Sequence, residues 1–261
     1  IICSPSNIHY KQCLFFAQNS IHILVEKPIF NKIEPINKIL HHVKKNNLVF
    51  RVGYNLRYSK LLNQFKKNIK LLGQIYLVNC DVGNNIKNWR RDHYSKTVSA
   101  LKTKGGGVIL ELSHEIDYLN WVFGKFIKLY SNFSKISDLN INVEDNAQII
   151  FEAKNKNKIN KTFKIVLTLD FLRHNNTRLI TAIGKNGTLK LDLIENTLSL
   201  YLKNKKKWTV IDENKDDINK TYLSQFKDFK NMIFMNKLTY DSNELMAVLN
   251  IIEFIKKSQK S

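Results

Sequence analysis

The stretch HILVEKPIFNKIEPINKILHHVKKNNLVFRVGY, residues 22–54, decides the fold. Two short apolar runs, His22 to Val25 and Leu48 to Val52, are bounded by turn-forming or polar residues and read as strands. Asn31 with Glu34 three residues later predicts a capping box that opens a helix running to about Lys45. Upstream, IICSPSNIHY, residues 1–10, begins with a β-favouring run at 1–3 that Ser4-Pro5-Ser6-Asn7 breaks, and a helix is expected over about 8–19. Strand, helix, strand, helix and strand joined by short links predict a parallel, doubly wound α/β sheet. Ile1 has no polar lead-in and no initiating methionine before it, so that sheet is expected to lack its first strands.

Composition narrows the classes. At 261 residues with 43% hydrophobic content, the chain has material for a substantial core. No apolar run approaches the roughly 18 residues of a membrane span, and no signal peptide is recognisable. Cys3, Cys13 and Cys80 have neither CxxC nor Cys/His spacing, so no disulfide framework and no metal site is expected, and the compartment predicted is the cytoplasm. The formal net charge of +20 invites a nucleic-acid reading. The lysines are scattered, however, and gather only in short stretches such as 154–158 and 203–207 between strand-like runs, so they read as solvated hairpin tips and no nucleic-acid partner is expected.

After Tyr54 the pattern changes. A helix near 59–71 and a strand over 74–82 precede a polar, irregular stretch through residue 104. Gly105-Gly106-Gly107 then opens a helix that Gly124 closes. Six strands follow, at 127–136, 145–153, 162–172, 177–183, 187–193 and 197–202, and predict a large, mostly antiparallel sheet. Helices near 221–235 and 242–257 are expected to cover a face or edge of it. The fold class is therefore α/β: the later part of a doubly wound sheet over 1–55, then an α+β domain with a large open sheet over 56–261.

Four stretches carry chemistry. Glu26-Lys27-Pro28 sits at the carboxyl end of a parallel strand, where open α/β sheets bind ligands, and proline holds Lys27 extended. A lysine there can hydrogen-bond a substrate hydroxyl or assist proton transfer, or it can be an ordinary loop residue. In GGGVILELSHEIDYLNWVFG, residues 105–124, helical spacing puts Leu112, Ile116, Leu119 and Phe123 in one sector and Glu111, His114, Glu115 and Tyr118 in the opposite one. That second stripe is either a solvated face or an acid and imidazole at i, i+3, with the glycines admitting a ligand close to the backbone. Gly53-Tyr54-Asn55-Leu56-Arg57-Tyr58 follows another parallel strand, and Trp89-Arg90-Arg91 lies in the irregular stretch, where an aromatic and two guanidinium groups can floor a pocket.

Together with LDFLRHNNTRLITAIGKNGTLKLDL, these stretches in this order resemble the Gfo/Idh/MocA family, the NAD(P)-dependent sugar and inositol oxidoreductases. IICSPSNIHY resembles its strand followed by T-P-x-x-x-H, HILVEKP its E-K-P, VGYNLRY its G-x-x-x-R-[FY], and the glycine-led helix its H-x-x-D ending. The resemblance implies a Rossmann domain, NAD or NADP as cofactor, a sugar or nucleotide-sugar substrate, and a homo-oligomer formed through the open sheet. It implies that Ser4, Pro5, Asn7, His9, Glu26, Pro28 and Asn55 line the cofactor, with Lys27 between cofactor and substrate. His114 becomes the acid/base with Glu111 as its partner, three residues before it where the family usually has Asp four before. Tyr54, Arg57, Trp89, Arg90 and Tyr118 are expected to contact substrate. Family members open with a strand and a G-x-G-x-x-G turn, which the 261 residues do not contain, so the chain is expected to be the later part of a protein longer by about 70 residues. Weak cofactor binding and an exposed apolar sheet edge follow from that expectation. The alternative is an inactive remnant that serves as a binding or dimerisation module.

Overall fold

In a computed structural model that describes residues 1–89, 93–155, 161–214, 217–235 and 242–259, a small lobe is built on a two-stranded parallel sheet near the start of the sequence. β1 (Ile23–Glu26) pairs in parallel with β2 (Phe50–Gly53), and Ile2 adds an isolated parallel bridge to Val25. Helix α1 (Ser6–Gln18) turns His9, Cys13 and Ala17, four residues apart, toward those strands. Helix α2 (Ile36–Lys45) buries Ile36, Ile39 and Val43. The expected capping box is absent: Pro35 stands at the N-cap, no side chain caps the helix, and Glu34 lies 3.6 Å from Lys32. Proline disfavours a helical residue before it, so a helix cannot open at Asn31 and pass through Glu34-Pro35. Ile1, Ile8 and Phe15 leave an apolar edge and helix side exposed, as the sequence led us to expect.

The larger lobe starts with a 3-10 turn (Asn55–Tyr58), α3 (Lys60–Asn68), β3 (Ile75–Gly83) and a short α4 (Ile86–Trp89). The glycine-led helix is two helices, α5 (Val108–Glu111) and α6 (Ser113–Phe123), broken at Leu112. Strands β4 (Phe126–Ser134), β5 (Asn146–Lys154), β6 (Thr162–Asp170), β7 (Thr177–Gly184), β8 (Gly187–Asp192), β9 (Thr197–Leu202) and β10 (Trp208–Glu213) then join β3 in the order β10-β9-β8-β7-β3-β6-β5-β4. All neighbours are antiparallel except β3 and β6. β10 adds an edge strand to the seven expected. The lysine-rich tip at 203–207 forms the β9–β10 turn, while 156–160 lies outside the described residues.

Alternation along the strands sets the two faces of this sheet. Ala147, Ile149, Phe151 and Ala153 on β5 and Phe163, Ile165, Leu167 and Leu169 on β6 point inward beneath the helices and are buried. Register aligns Tyr130, Ile150, Val166, Asn79 and Thr181 across the other face, where no helix covers them.

The last two helices do more than cover the sheet. α7 (Asn219–Phe234) lays Phe229 on Leu24 and Val49 of the small lobe. α8 (Ser242–Ser258) gives Leu245, Met246 and Leu249 to the small lobe's core and Val248, Ile252 and Ile255 to the large one. Among the described residues no helix is long and apolar enough to cross a membrane.

All three cysteines are free, Cys3 exposed and the others enclosed, and burial pushes the Cys13 thiol up to about 12. A thiol reagent is therefore expected to label one cysteine per native chain and three in denaturant; rapid labelling of all three before unfolding would contradict the packing described.

Candidate active site

Lys27 follows the carboxyl end of β1, with a cis peptide joining it to Pro28. Its side chain crosses to the large lobe, where Nζ donates to the Glu111 main-chain oxygen at 2.6 Å and lies 4.0 Å from Glu111 Oε2. The break at Leu112 makes that contact possible. In an unbroken helix the Glu115 amide would bond the Glu111 carbonyl; here it donates to Leu112 at 3.3 Å, and the freed carbonyl accepts from Lys27.

His114 follows that break by two residues. The Tyr54 ring, which begins just after β2, meets the imidazole edge to face at 5.8 Å and 83°. Nδ1 is enclosed without a hydrogen-bond partner among the described residues. Burial, then the positive charges of Lys27 and Arg178, push the imidazole well below its ordinary 6.5. The group is therefore neutral near pH 7. Glu111, expected to partner His114, faces Lys27 instead.

Two buried ion pairs fix α6. Arg57 donates from Nε and Nη2 to Asp117 at 2.9 and 2.7 Å and from Nη1 to Glu244 on α8 at 2.8 Å. Burial opposes the Arg57 cation, but the two carboxylates outweigh it and raise its pKa. Expected to contact substrate, Arg57 is a clamp between elements: each of its nitrogens is bonded to a carboxylate. Arg178 on β7 donates from Nε to Glu115 Oε1 at 2.7 Å, and Glu115 is wholly buried. Glu115 and Tyr118 thus lie against the protein interior rather than on a polar stripe. Tyr118 is fully enclosed with its hydroxyl 3.2 Å from Cys80 Sγ, which removes it from substrate contact.

Other expected positions divide. His9 is fully buried, with Nε2 2.7 Å from the Ser4 oxygen and Nδ1 3.1 and 3.2 Å from the Pro28 and Ile29 oxygens. It ties the Ser4 turn to the Lys27-Pro28 turn and has no open face toward a cofactor. Asn55 is also buried, donating to Thr221 Oγ1 at 2.7 Å while its Oδ1 stays unpartnered. The glycines admit protein rather than ligand: a Cβ at Gly105 would meet Ser6 Oγ and one at Gly107 would meet Glu144. Arg90 and Arg91 lie outside the described residues, as does the Trp89 side chain. Sequence reasoning missed Asp117 and Arg178 as site residues, although Asp117 closes the quoted H-x-x-D.

Ser4 and Pro5, Glu26 to Pro28, and Gly53 and Tyr54 lie side by side at the carboxyl ends of parallel backbone. Asn7 is exposed beside them, and Glu26, raised in pKa by burial and lowered in turn by the Lys27 amide, charge and His9, is held at 3.3 Å from the Lys27 amide. This rim suits the nicotinamide end of a dinucleotide. The residues for its pyrophosphate do not occur as a G-x-G-x-x-G in these 261 positions.

Two family models match the chain. Residues 1–54 match the Gfo/Idh/MocA family model described as an oxidoreductase family, NAD-binding Rossmann fold, and residues 66–260 match the family's C-terminal alpha/beta domain. An uncharacterized oxidoreductase of Synechocystis is 29% identical over 148 residues, 51% of this chain and 36% of that protein. The chain thus aligns with about a third of that relative's length. A levoglucosan dehydrogenase solved with NADH and levoglucosan superposes with a TM-score of 0.81 at 16% identity, covering 98% of this chain and 76% of that one. UDP-N-acetylglucosamine 3-dehydrogenase from Acidithiobacillus ferrooxidans gives 0.77 at 17% identity with the same coverages.

Because the folded His114 titrates below 6.5, the unfolded chain takes that proton first. Its effect on stability is nil above about 6.5, and stability falls as pH drops below that value, by at most about 1.4 kcal/mol per pH unit for one proton. Denaturant titrations between pH 7.5 and 5.5 are expected to show a shallower loss for His114→Gln than for the wild type, and parallel curves would refute the assignment.

Proposed function

The chain belongs to the Gfo/Idh/MocA oxidoreductase family, and from that premise we propose that it moves hydride between nicotinamide and a carbon of a sugar or nucleotide sugar, with NAD(H) as the cofactor. The observation that carries this reading is the meeting of Lys27 and Tyr54, from neighbouring parallel-strand ends, at His114 on α6. A bound nicotinamide supplies the hydride acceptor or donor. The chain's own residues handle the proton. With Nδ1 enclosed, Nε2 of the neutral imidazole is left to take the substrate hydroxyl proton during oxidation and to return it during reduction. The Lys27 ammonium gives one of its three donors to the Glu111 carbonyl, which holds it in place, and keeps two for the reacting oxygen. Ser4, Pro5, Asn7 and Glu26 form the strand-end rim that would hold the nicotinamide ribose. Two structural neighbours are a levoglucosan dehydrogenase and a UDP-N-acetylglucosamine 3-dehydrogenase, which supports a carbohydrate substrate without choosing between a sugar and a nucleotide sugar.

His114→Gln is expected to lower kcat by about 10²- to 10⁴-fold, and Lys27→Met by a similar factor. Steady-state assays with NADH and with NADPH over a panel of sugars measure both; an unchanged kcat in either variant refutes that residue's role, and a preference for NADPH refutes the cofactor assignment.

We also propose that the uncovered face of the eight-stranded sheet meets a second copy. Tyr130 and Trp208 are exposed there by more than half, in register with Ile150, Val166 and Ile183. Exposed aromatic and aliphatic side chains gathered on one sheet face fit a protein interface. Sedimentation is expected to show an oligomer for the wild type and a monomer for Ile150→Glu; a wild-type monomer at tens of micromolar would defeat the idea.

A further inference from the structure

A cavity of about 360 Å³ is walled by the Asn55–Tyr58 turn, the rim of the sheet near Leu193 and Asn196, and the first turn of α7. Its size falls within the range of small-molecule sites. Tyr58, Ser59, Asn196, Thr221 and Ser224 give it a polar lining. Arg178 enters from β7.

The state of that guanidinium points to a ligand. Its Nε is fixed by the wholly buried Glu115 at 2.7 Å. Among the described residues Glu115 is its hydrogen-bond partner and Nη1 and Nη2 have no acceptor, although the side chain is only 24% exposed. A half-buried fork whose Nη1 and Nη2 lack an acceptor among the described residues is matched by two oxygens of one oxyanion, and such charge-assisted pairs are about twice as strong as neutral hydrogen bonds. Lys60 and Lys220 also line the cavity, Lys60 being paired with Asp212 at 2.8 Å. Asp217 on the rim is held by Asn219 through its backbone amide at 3.0 Å and its side-chain amide at 2.7 Å. Glu115, which holds Arg178, is the residue next to His114 on α6, and Leu56 and Tyr58 of the cavity wall follow Tyr54 by two and four residues.

We propose that Arg178 is the specificity-determining residue of this cavity and that it binds an oxyanion carried by the substrate sugar, a phosphate or a carboxylate. The word sugar rests on the oxidoreductase reading above; the oxyanion receptor rests on Arg178 and its cavity alone. Glu115 acts through Arg178 by holding the fork in one orientation.

The test is calorimetric titration of the chain with glucose, glucuronate, glucose 6-phosphate and UDP-glucose. For the wild type, at least one anionic ligand is expected to bind about tenfold tighter than glucose. Arg178→Lys keeps the positive charge opposite Glu115 but loses the fork, and is expected to narrow that preference to within about twofold while circular dichroism stays unchanged. Should the lysine variant fail to fold, Glu115→Gln with Arg178→Gln removes both buried charges together and gives the same reading. Tighter phosphate ligands identify phosphate as the group read, and tighter glucuronate identifies carboxylate; both support the receptor. Equal affinity for glucose and all three anions, or a preference that survives in the variants, overturns it. An oxyanion preference without hydride transfer defeats the oxidoreductase reading and leaves the receptor standing, whereas turnover without the preference defeats the receptor alone.

Discussion

Two carboxylates on one helix govern the arrangement of everything near them. Glu115 and Asp117 on α6 are enclosed, and a buried carboxylate without a partner would cost several kcal/mol. Arg178 from the sheet and Arg57 from the turn after β2 supply the partners. Helix α6 therefore has one rotation in which both charges are answered. In that rotation His114 faces the cleft where Lys27 and Tyr54 arrive. Burial alone pulls Asp117 toward its neutral form, and Arg57 works against that pull, so the clamp is an electrostatic balance rather than a surface salt bridge.

The break at Leu112 is the second half of the same device. It frees one carbonyl, and Lys27 occupies it. An ammonium placed by a main-chain oxygen keeps its position whatever the protonation of nearby side chains. Close to the imidazole the two lobes meet through one backbone contact, at Glu111 three residues before it, and one aromatic edge, at His114 itself.

Much of the fold was legible because its signals are local. Short apolar runs gave the parallel strands, alternation gave the antiparallel ones, and Gly124 with φ of 91° closed α6 as its position suggested. What stayed hidden depends on distant residues. Glu115 and Tyr118 look like a solvated stripe on a helical wheel, since the arginine that answers Glu115 is 63 residues away and the one that answers Asp117 is 60 residues away. The wheel also assumed an unbroken helix from the glycines onward, which Leu112 interrupts. His9 shows the same limit, because its acceptors include carbonyls 19 and 20 residues on. The convergence of Lys27 with His114 was inferred from motif order, and no periodicity in the chain encodes it.

Helix α8 contributes three apolar side chains to each of two cores, its first turns mainly to the small lobe and its later turns to the large one. A rod embedded in both bodies is a shared keel: neither lobe can swing far from the other without dragging it out of one bed. The gap between the lobes is thereby kept at a set width, and the melting of one body should pull the other down with it. Helix α8 thereby acts as the ruler for the gap between the Lys27 turn and the helix that carries His114.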